Sequence, residues 1–229
     1  MIRRLAVPLA GGAAALVPAA EPVRLLAVSD ERDPALEHAV NRERIGRLDG
    51  ILGCGDLEPA YLCFLADAFT APLALVRGNH DRGVAWDESS AQIAAPLDGR
   101  AESLRGIDFI GLSWPGRREG HAARDELAAW RQAIGAWLRA VLRGGRPRIV
   151  ISHVPPRGHG DVATDHYHAG FAGYAWLCRR LRPLLWLHGH TPPATGAGWR
   201  GRLGPTTLVN VTGAVLIELR PAGVTIADK

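Results

Sequence analysis

Short apolar runs alternate along the first third of the chain with stretches in which apolar residues recur every three or four positions. Three of these runs have the length of buried strands: 24–29, 50–54 and 73–76. Asp33 and Pro34 suit the cap and the first position of an intervening helix, and 59–69 reads as a second one. The alternation predicts a βαβαβ unit with parallel strands and right-handed crossovers.

The second half of the chain continues the alternation after a turn-rich stretch at 96–99. Strand-length runs follow at 107–112, 148–152 and 184–188, and helical periodicity predicts helices over 125–143 and 170–181. Large apolar residues at helical spacing are predicted to form the buried face of the first of these helices: Leu127, Trp130, Ile134, Trp137, Leu138 and Val141.

The tail from Thr206 to Ile226 is predicted to form antiparallel strands that turn at Gly213 and at 221–223. Because no internal repeat, low-complexity tract or linker interrupts the chain, residues 1–229 are predicted to form a single domain.

Composition narrows the class of protein. The 229 residues are 47% hydrophobic and 22% charged, which is typical of a globular domain. The net charge is +4, and the arginines are spread along the chain, so nucleic-acid binding is not indicated. The cysteines are odd in number and lack CxxC spacing, which excludes a disulfide framework or a zinc ribbon and predicts buried packing residues. They are Cys54, Cys63 and Cys178.

Residues 1–22 have two interpretations. Arg3 and Arg4 precede an uncharged stretch, and 17–19 resembles a small-residue cleavage site, as in a signal segment for export. Pro8 and the glycines at 11–12 would break a signal helix, so an extended N-terminal segment is favoured and with it a cytoplasmic protein. No later apolar stretch reaches the roughly 20 residues that a membrane span requires.

Polar side chains follow the predicted strands at the point where each strand ends. They are Asp30, Asp56, Asn79, His80, Asp81, His153 and His190. The carboxyl edge of an open α/β sheet is where loops gather groups from several strands into one crevice. Carboxylate, amide and imidazole ligands together suit Mn, Fe or Zn. Seven of the nine histidines lie in or beside these motifs, which predicts a divalent metal site at this edge.

These motifs resemble those of the calcineurin-like metallophosphoesterase superfamily. They read Asp30, Gly55-Asp56, Gly78-Asn79-His80-Asp81, His153 and Gly189-His190, and the likeness runs from about 24 to 192. The resemblance implies an α/β fold, a sandwich of two mixed β-sheets flanked by helices in four layers. It also implies a metal-dependent hydrolase of phosphate mono- or diesters with two metals at the sheet edge.

The resemblance assigns a role to each of these residues. Asp56 would bridge two metals, with Asn79, His153 and His190 completing the second site. Asp30 would bind the first metal. His80, paired with Asp81, would serve the leaving group and protonate the departing oxygen.

The chain departs from the family pattern at two positions of the first metal site. The family has Asp-x-His and Gly-His-x-His, whereas this chain has Arg32 and Pro192 where the last histidine of each motif would stand. One tightly held metal is therefore expected, with the first position weak or empty. Three nearby residues are candidate replacement ligands: Glu31, Asp33 and His188.

Arg32 is a candidate substrate-binding residue, because a guanidinium at the missing cation's position could pair with a phosphate oxygen; exposure to solvent is the equal alternative. The loop after Pro155-Pro156 borders the substrate in the family, and its 168–170 segment resembles the family's His-x-Gly element. The rival interpretation is a non-catalytic relative that binds a phosphorylated ligand or a protein partner.

The motif spacing argues against a serine/threonine protein phosphatase and is closer to small bacterial phosphodiesterases and phosphatases. The expected partner is a phosphate-ester substrate, with no membrane partner. Oligomeric state and the choice between mono- and diester stay open.

Overall fold

The strand-length runs of the sequence form two mixed β-sheets in the computed structural model, which describes residues 2–9, 22–83, 86, 94–116, 125–142, 149–192, 196 and 198–221. The strands are β1 (Arg3–Leu9), β2 (Val23–Ser29), β3 (Gly50–Gly53), β4 (Leu73–Leu75), β5 (Ala101–Leu104), β6 (Ile107–Leu112), β7 (Ile149–Ser152), β8 (Leu185–His188), β9 (Arg200–Leu203), β10 (Thr206–Asn210) and β11 (Gly213–Pro221). The helices are a 3₁₀ turn (Pro34–Glu37), α1 (Ala39–Ile45), α2 (Pro59–Phe69), α3 (Glu126–Leu142) and α4 (Ala172–Leu181).

The first sheet has the strand order β1-β11-β2-β3-β4, and the second has β5-β6-β7-β8-β10-β9. The predicted parallel unit is confirmed, because β2, β3 and β4 are parallel neighbours. In the second sheet β6, β7, β8 and β10 are parallel, and antiparallel strands lie at both edges.

The two sheets pack face to face around a shared apolar core, which includes Leu25, Leu52, Phe109, Ile151 and Leu187. A second cluster packs α1 and α2 on the outer face of the first sheet, and a third packs α3 and α4 on the outer face of the second. The four-layer sandwich of two mixed sheets flanked by helices is therefore confirmed.

The buried face of α3 differs from the prediction. Its buried residues are Ala129, Ala133, Ala136 and Ala140. Leu127, Ile134, Leu138 and Val141 are 59, 43, 46 and 56% exposed. The reason is close helix packing: a Cβ on Gly173 of α4 would lie 3.2 Å from the Cα of Trp130 and 3.3 Å from the carbonyl oxygen of Ala129, so α3 presents small side chains there. Trp130 and Trp137 pack at the margin, against Trp176 of α4.

The predicted antiparallel tail is also wrong. Strands β10 and β11 lie in different sheets: β10 is parallel to β8, and β11 is antiparallel to β2. Gly213, with a φ of 82°, opens β11 after the chain crosses between the sheets. The apolar run of each strand completes a different sheet, which a sequence pattern alone does not distinguish from a hairpin. The second predicted turn, at 221–223, lies largely outside the described residues.

The N-terminal segment contributes an edge strand, since β1 is parallel to β11 from Arg3 to Leu9. The 17–19 segment lies outside the described residues.

Strands β5 and β9 are short and half-exposed or exposed, which explains why the apolar pattern did not predict them. The predicted first helix breaks at His38 into a 3₁₀ turn and α1, and the predicted capping role of Asp33 is confirmed by its bond from the N–H of Ala35.

Cys54 and Cys178 are buried, as predicted, and Cys63 is half-buried. Among the described helices, none has the length and apolar composition to cross a membrane.

Candidate metal centre

The carboxyl ends of the parallel strands bring the motif residues from both sheets to one edge of the sandwich. Asp30 follows β2, Asp56 follows β3, His153 follows β7 and His190 follows β8. Asp30, Asp56 and His190 have φ values of 60, 57 and 64°, in the left-handed region that non-glycine residues seldom adopt. Such conformations persist only where the surrounding structure enforces them, and they concentrate at functional sites.

Four donor groups converge at this edge. The Nε2 atom of His153 lies 2.9 Å from Oδ1 of Asn79 and 3.2 Å from Oδ2 of Asp56. Donor atoms of Asp56, His153 and His190 all lie within 4.8 Å of one another. These are the four residues that the sequence predicts for the second metal site.

Each of the four side chains uses its other polar atom to hold itself in place. Oδ1 of Asp56 accepts from the backbone N–H of His80 (2.8 Å), and Nδ1 of His153 lies 3.0 Å from the carbonyl of Cys54. Nδ2 of Asn79 donates to the Tyr167 hydroxyl (2.7 Å). Nε2 of His190 lies 2.8 Å from the carbonyl oxygen of Tyr167.

These bonds decide which atoms face the centre. A ring nitrogen that bonds a backbone carbonyl carries a proton, so Nδ1 of His190 keeps a lone pair. Nδ1 of His153 likewise donates to Cys54, and its Nε2 donates to the oxygens of Asn79 and Asp56, so this nitrogen would give up its proton to a metal. Oriented imidazoles backed by carbonyls are the usual outer-shell arrangement of a metal site. One carboxylate, one amide oxygen and two imidazoles therefore fit a divalent metal such as Mn, Fe or Zn.

Burial and charge act in opposite directions on the central pair. Burial alone would lower the pKa of His153, but the adjacent Asp56 carboxylate more than offsets it and raises that pKa. The same contact holds the pKa of Asp56 below its usual value despite its burial. Burial, together with the charge of His153, lowers the pKa of His190 to about 3. His190 is therefore neutral at pH 7 and able to act as a ligand.

The first-site side of the cleft retains Asp30. Its carboxylate accepts from the backbone N–H of His190 at 3.0–3.1 Å and from the Thr212 hydroxyl at 3.3 Å. Pro192 supplies no side-chain donor, and its carbonyl accepts from Asn210. Two of the candidate replacement ligands are engaged elsewhere: Asp33 caps the 3₁₀ turn, and His188 is buried beside Gly160.

The position of Arg32 differs from the one expected of a replacement cation. Its guanidinium forms an ion pair with Glu58 and lies 5.2 Å from the ring centroid of Tyr61. The residues that line the 370 Å³ cleft are Asp30, Asp56, His80, Tyr167, His168 and His190. Arg32 is thus held at the start of α2, to one side of the cleft.

His80 and Asp81 have separate surroundings. His80 is exposed, and its Nε2 lies 3.1 Å from the Tyr167 hydroxyl. The buried carboxylate of Asp81 accepts from the backbone N–H groups of Asp56 (2.8 Å) and Gly78 (2.7 Å). The structure thus directs Asp81 to the backbone of the two strand-end turns instead of to the ring of His80. Its burial, with Asp56 nearby, raises the pKa of Asp81 to about 6.

Three residues near the centre were not predicted as site residues. Tyr167 contacts three predicted site residues, Asn79, His80 and His190. His168 lines the cleft, and its Nδ1 bonds Asp165. The ring centroid of Trp114 lies 5.5 Å from that of His190. The histidine-rich loop at 159–168 was a weak signal for the first two. Trp114 carried none, because an isolated tryptophan in a turn is typical of packing.

A family model described as calcineurin-like phosphoesterase matches residues 40–194, more than half of the chain, and that range contains all four converging residues and His80. The chain belongs to the calcineurin-like phosphoesterase family. Members of this family are generally metal-dependent phosphoesterases that act on phosphate esters, which agrees with the candidate metal ligands at the sheet edge. No curated protein matches the chain significantly.

Two solved structures share the fold of this chain. TT1561 of Thermus thermophilus is 19% identical over 84% of this chain and 90% of its own, with a TM-score of 0.58. A second structure is 16% identical over 84% of this chain and 91% of its own, with a TM-score of 0.57. A single mutant of Vps29 from Entamoeba histolytica was also matched; it is 12% identical over 83% of this chain and 74% of its own, with a TM-score of 0.40.

Proposed function

We propose that this phosphoesterase hydrolyses phosphate mono- or diesters with one tightly held divalent metal and a weak or vacant first metal position. The observation that carries the proposal is the convergence of Asp56, Asn79, His153 and His190, each with its remaining polar atom tied down. Such preorganisation keeps the ligands aimed at one point without further ordering on binding.

A metal at this position supplies charge for the phosphoryl oxygens and lowers the pKa of water at the site. The residues of the chain donate a proton and hold the candidate metal ligands in position. His80 stands at the open side of the cleft, where it can give a proton to the departing ester oxygen. Asp81 accepts from the backbone of both the turn after β3 and the turn after β4, and so fixes the position of Asp56 relative to Asn79. Asp30 holds the backbone of His190.

The test is metal content and hydrolysis together. Purified protein should contain one Mn, Fe or Zn per chain and hydrolyse p-nitrophenyl phosphate or bis-p-nitrophenyl phosphate slowly, with activity lost on chelation and regained with Mn²⁺. His153→Asn should abolish both metal binding and turnover, whereas His38→Asn, at an exposed position outside the cleft, should change neither. Activity that survives chelation undiminished contradicts the proposal.

A non-catalytic role is the second candidate, and a specific observation favours it. The first site has Pro192 where a histidine would stand, and Arg32 is paired with Glu58 beside the cleft. Such a protein would use the same site to bind a phosphorylated ligand or a protein partner. Stoichiometric metal with no ester hydrolysis, and saturable binding of inorganic phosphate, would select this alternative.

The cytoplasmic location stays a prediction, which the mass of the mature N-terminus from the native host would test.

A further inference from the structure

Tyr167 contacts three residues of the candidate site with two different atoms. Its hydroxyl lies 2.7 Å from Nδ2 of Asn79 and 3.1 Å from Nε2 of His80. Its carbonyl oxygen lies 2.8 Å from Nε2 of His190. Two of these partners are candidate metal ligands and the third is the candidate proton donor, so one side chain spans the metal side and the leaving-group side of the cleft.

The hydroxyl has one proton and two lone pairs, which limits how both contacts form. An amide nitrogen only donates, so the hydroxyl accepts from Asn79, and toward Nε2 of His80 it can donate its own proton or accept with its second lone pair. That arrangement turns Oδ1 of Asn79 toward His153 and Asp56, where a metal would bind. Without the hydroxyl, the amide could rotate and direct its nitrogen at the metal.

We propose that the Tyr167 hydroxyl is the positioning residue that orients the Asn79 amide toward the metal and the His80 ring toward the leaving group. The inference rests on the proposed function for its His80 part. Its Asn79 part concerns metal affinity and stands without any turnover.

The backbone of the loop holds Tyr167 independently of its hydroxyl. Its N–H donates to Oδ1 of Asp165 (2.9 Å), and farther along Gly170 N–H donates to Asp161 (2.8 Å). The Tyr167 ring packs against His168 and His190, with centroids 4.9 and 5.0 Å apart. Removal of the hydroxyl alone should therefore leave the loop in place and expose its orienting role.

The test compares Tyr167→Phe with the wild type in Mn²⁺ affinity, by calorimetric titration, and in kcat and KM on a p-nitrophenyl ester. Outer-shell substitutions weaken metal binding or activity by about 10- to 100-fold, and we expect an effect at the lower end in affinity. With Mn²⁺ saturating, kcat should fall by about 10-fold or more while KM stays within about two-fold, because His80 acts on the departing group.

The matched control is Tyr174→Phe, which removes a buried hydroxyl that bonds Gln132 in the helix layer behind the second sheet. It should lower stability without changing Mn²⁺ affinity or the ratio of kcat to KM. A double variant, Tyr167→Phe with Asn79→Ala, should bind Mn²⁺ no more weakly than Asn79→Ala alone, since the hydroxyl acts on the metal through Asn79.

The outcomes separate this inference from the proposed function. Tyr167→Phe with wild-type affinity and wild-type kcat overturns the positioning role while hydrolysis by the wild type stands. A wild type that hydrolyses no ester overturns the proposed function, and weaker Mn²⁺ binding by Tyr167→Phe then still supports the orientation of Asn79. Additive losses in the double variant overturn the route through Asn79.

Discussion

Metal binding should stabilise this protein by an amount that depends on Asn79. At a free Mn²⁺ concentration 100 times the dissociation constant, binding to the native state adds about 2.7 kcal/mol. For a domain of this size, each kcal/mol raises Tm by about 2–4 °C, so the wild type should gain about 5–11 °C.

Asn79→Ala removes one of the four converging donors without changing the charge of the site. If the loss weakens binding by about 100-fold, the same Mn²⁺ concentration only equals the new dissociation constant. The stabilisation then falls to about 0.4 kcal/mol, or roughly 1–2 °C. The metal-free variant also loses the bond between Asn79 and Nε2 of His153, so the comparison must use the Mn²⁺-induced shift of each protein instead of its absolute Tm.

The assay is thermal unfolding followed by circular dichroism, with and without Mn²⁺, after removal of metal by chelation. Asn41→Ala is the matched control, since Asn41 donates to the carbonyl of Ala35 on the α1 side of the molecule, and it should keep the full shift. An equal Mn²⁺ shift in Asn79→Ala and in the wild type would refute the assignment of Asn79 as a ligand.

Three further predictions follow from particular contacts. Arg32→His with Pro192→His should raise the metal content toward two ions per chain and increase ester hydrolysis by at least about 10-fold. Unchanged metal content by elemental analysis would show that the two missing histidines do not limit metal binding at the first site. Leu138→Ser, on the exposed face of α3, should change the unfolding free energy in urea by under about 1 kcal/mol, whereas Ala133→Leu, on its buried face, should cost about 1–3 kcal/mol; the reverse order would mean that the helix presents its other face. Burial lowers the pKa of His188 to about 4, so below about pH 6.5 the unfolded chain takes up a proton that the folded protein does not. The free energy of unfolding should therefore fall by about 2 kcal/mol between pH 6.5 and 5. In urea unfolding His188→Gln should lose this part of the pH dependence, and an unchanged dependence would exclude His188 as its source.

The sequence predicted the candidate ligand set because each candidate follows a strand. Once the alternating pattern predicts parallel strands, the residues after those strands must meet at one edge of the sheets. Asp56, Asn79, His153 and His190 could therefore be expected to lie together without coordinates, and the family motifs imply one metal position for them.

The partners of charged side chains depended on packing instead. Asp81 is adjacent to His80 in the chain, yet its carboxylate bonds the backbone of Asp56 and Gly78. Arg32 is at a motif position, yet it pairs with Glu58 at the start of α2. Neighbouring positions in a turn point in different directions, so sequence adjacency does not specify side-chain contact.

The sequence by itself determined the alternation of strands and helices, the strand ends and the chemistry of the candidate ligands, because these follow from hydrophobic periodicity and from motif residues at fixed places in it. The two-sheet sandwich was implied only by the resemblance to the family. Only the tertiary structure decided which face of α3 is buried, which sheet receives β10 and β11, and that Tyr167 lies against Asn79 and His80. Those outcomes depend on distances between segments far apart in the chain, and close packing sets those distances.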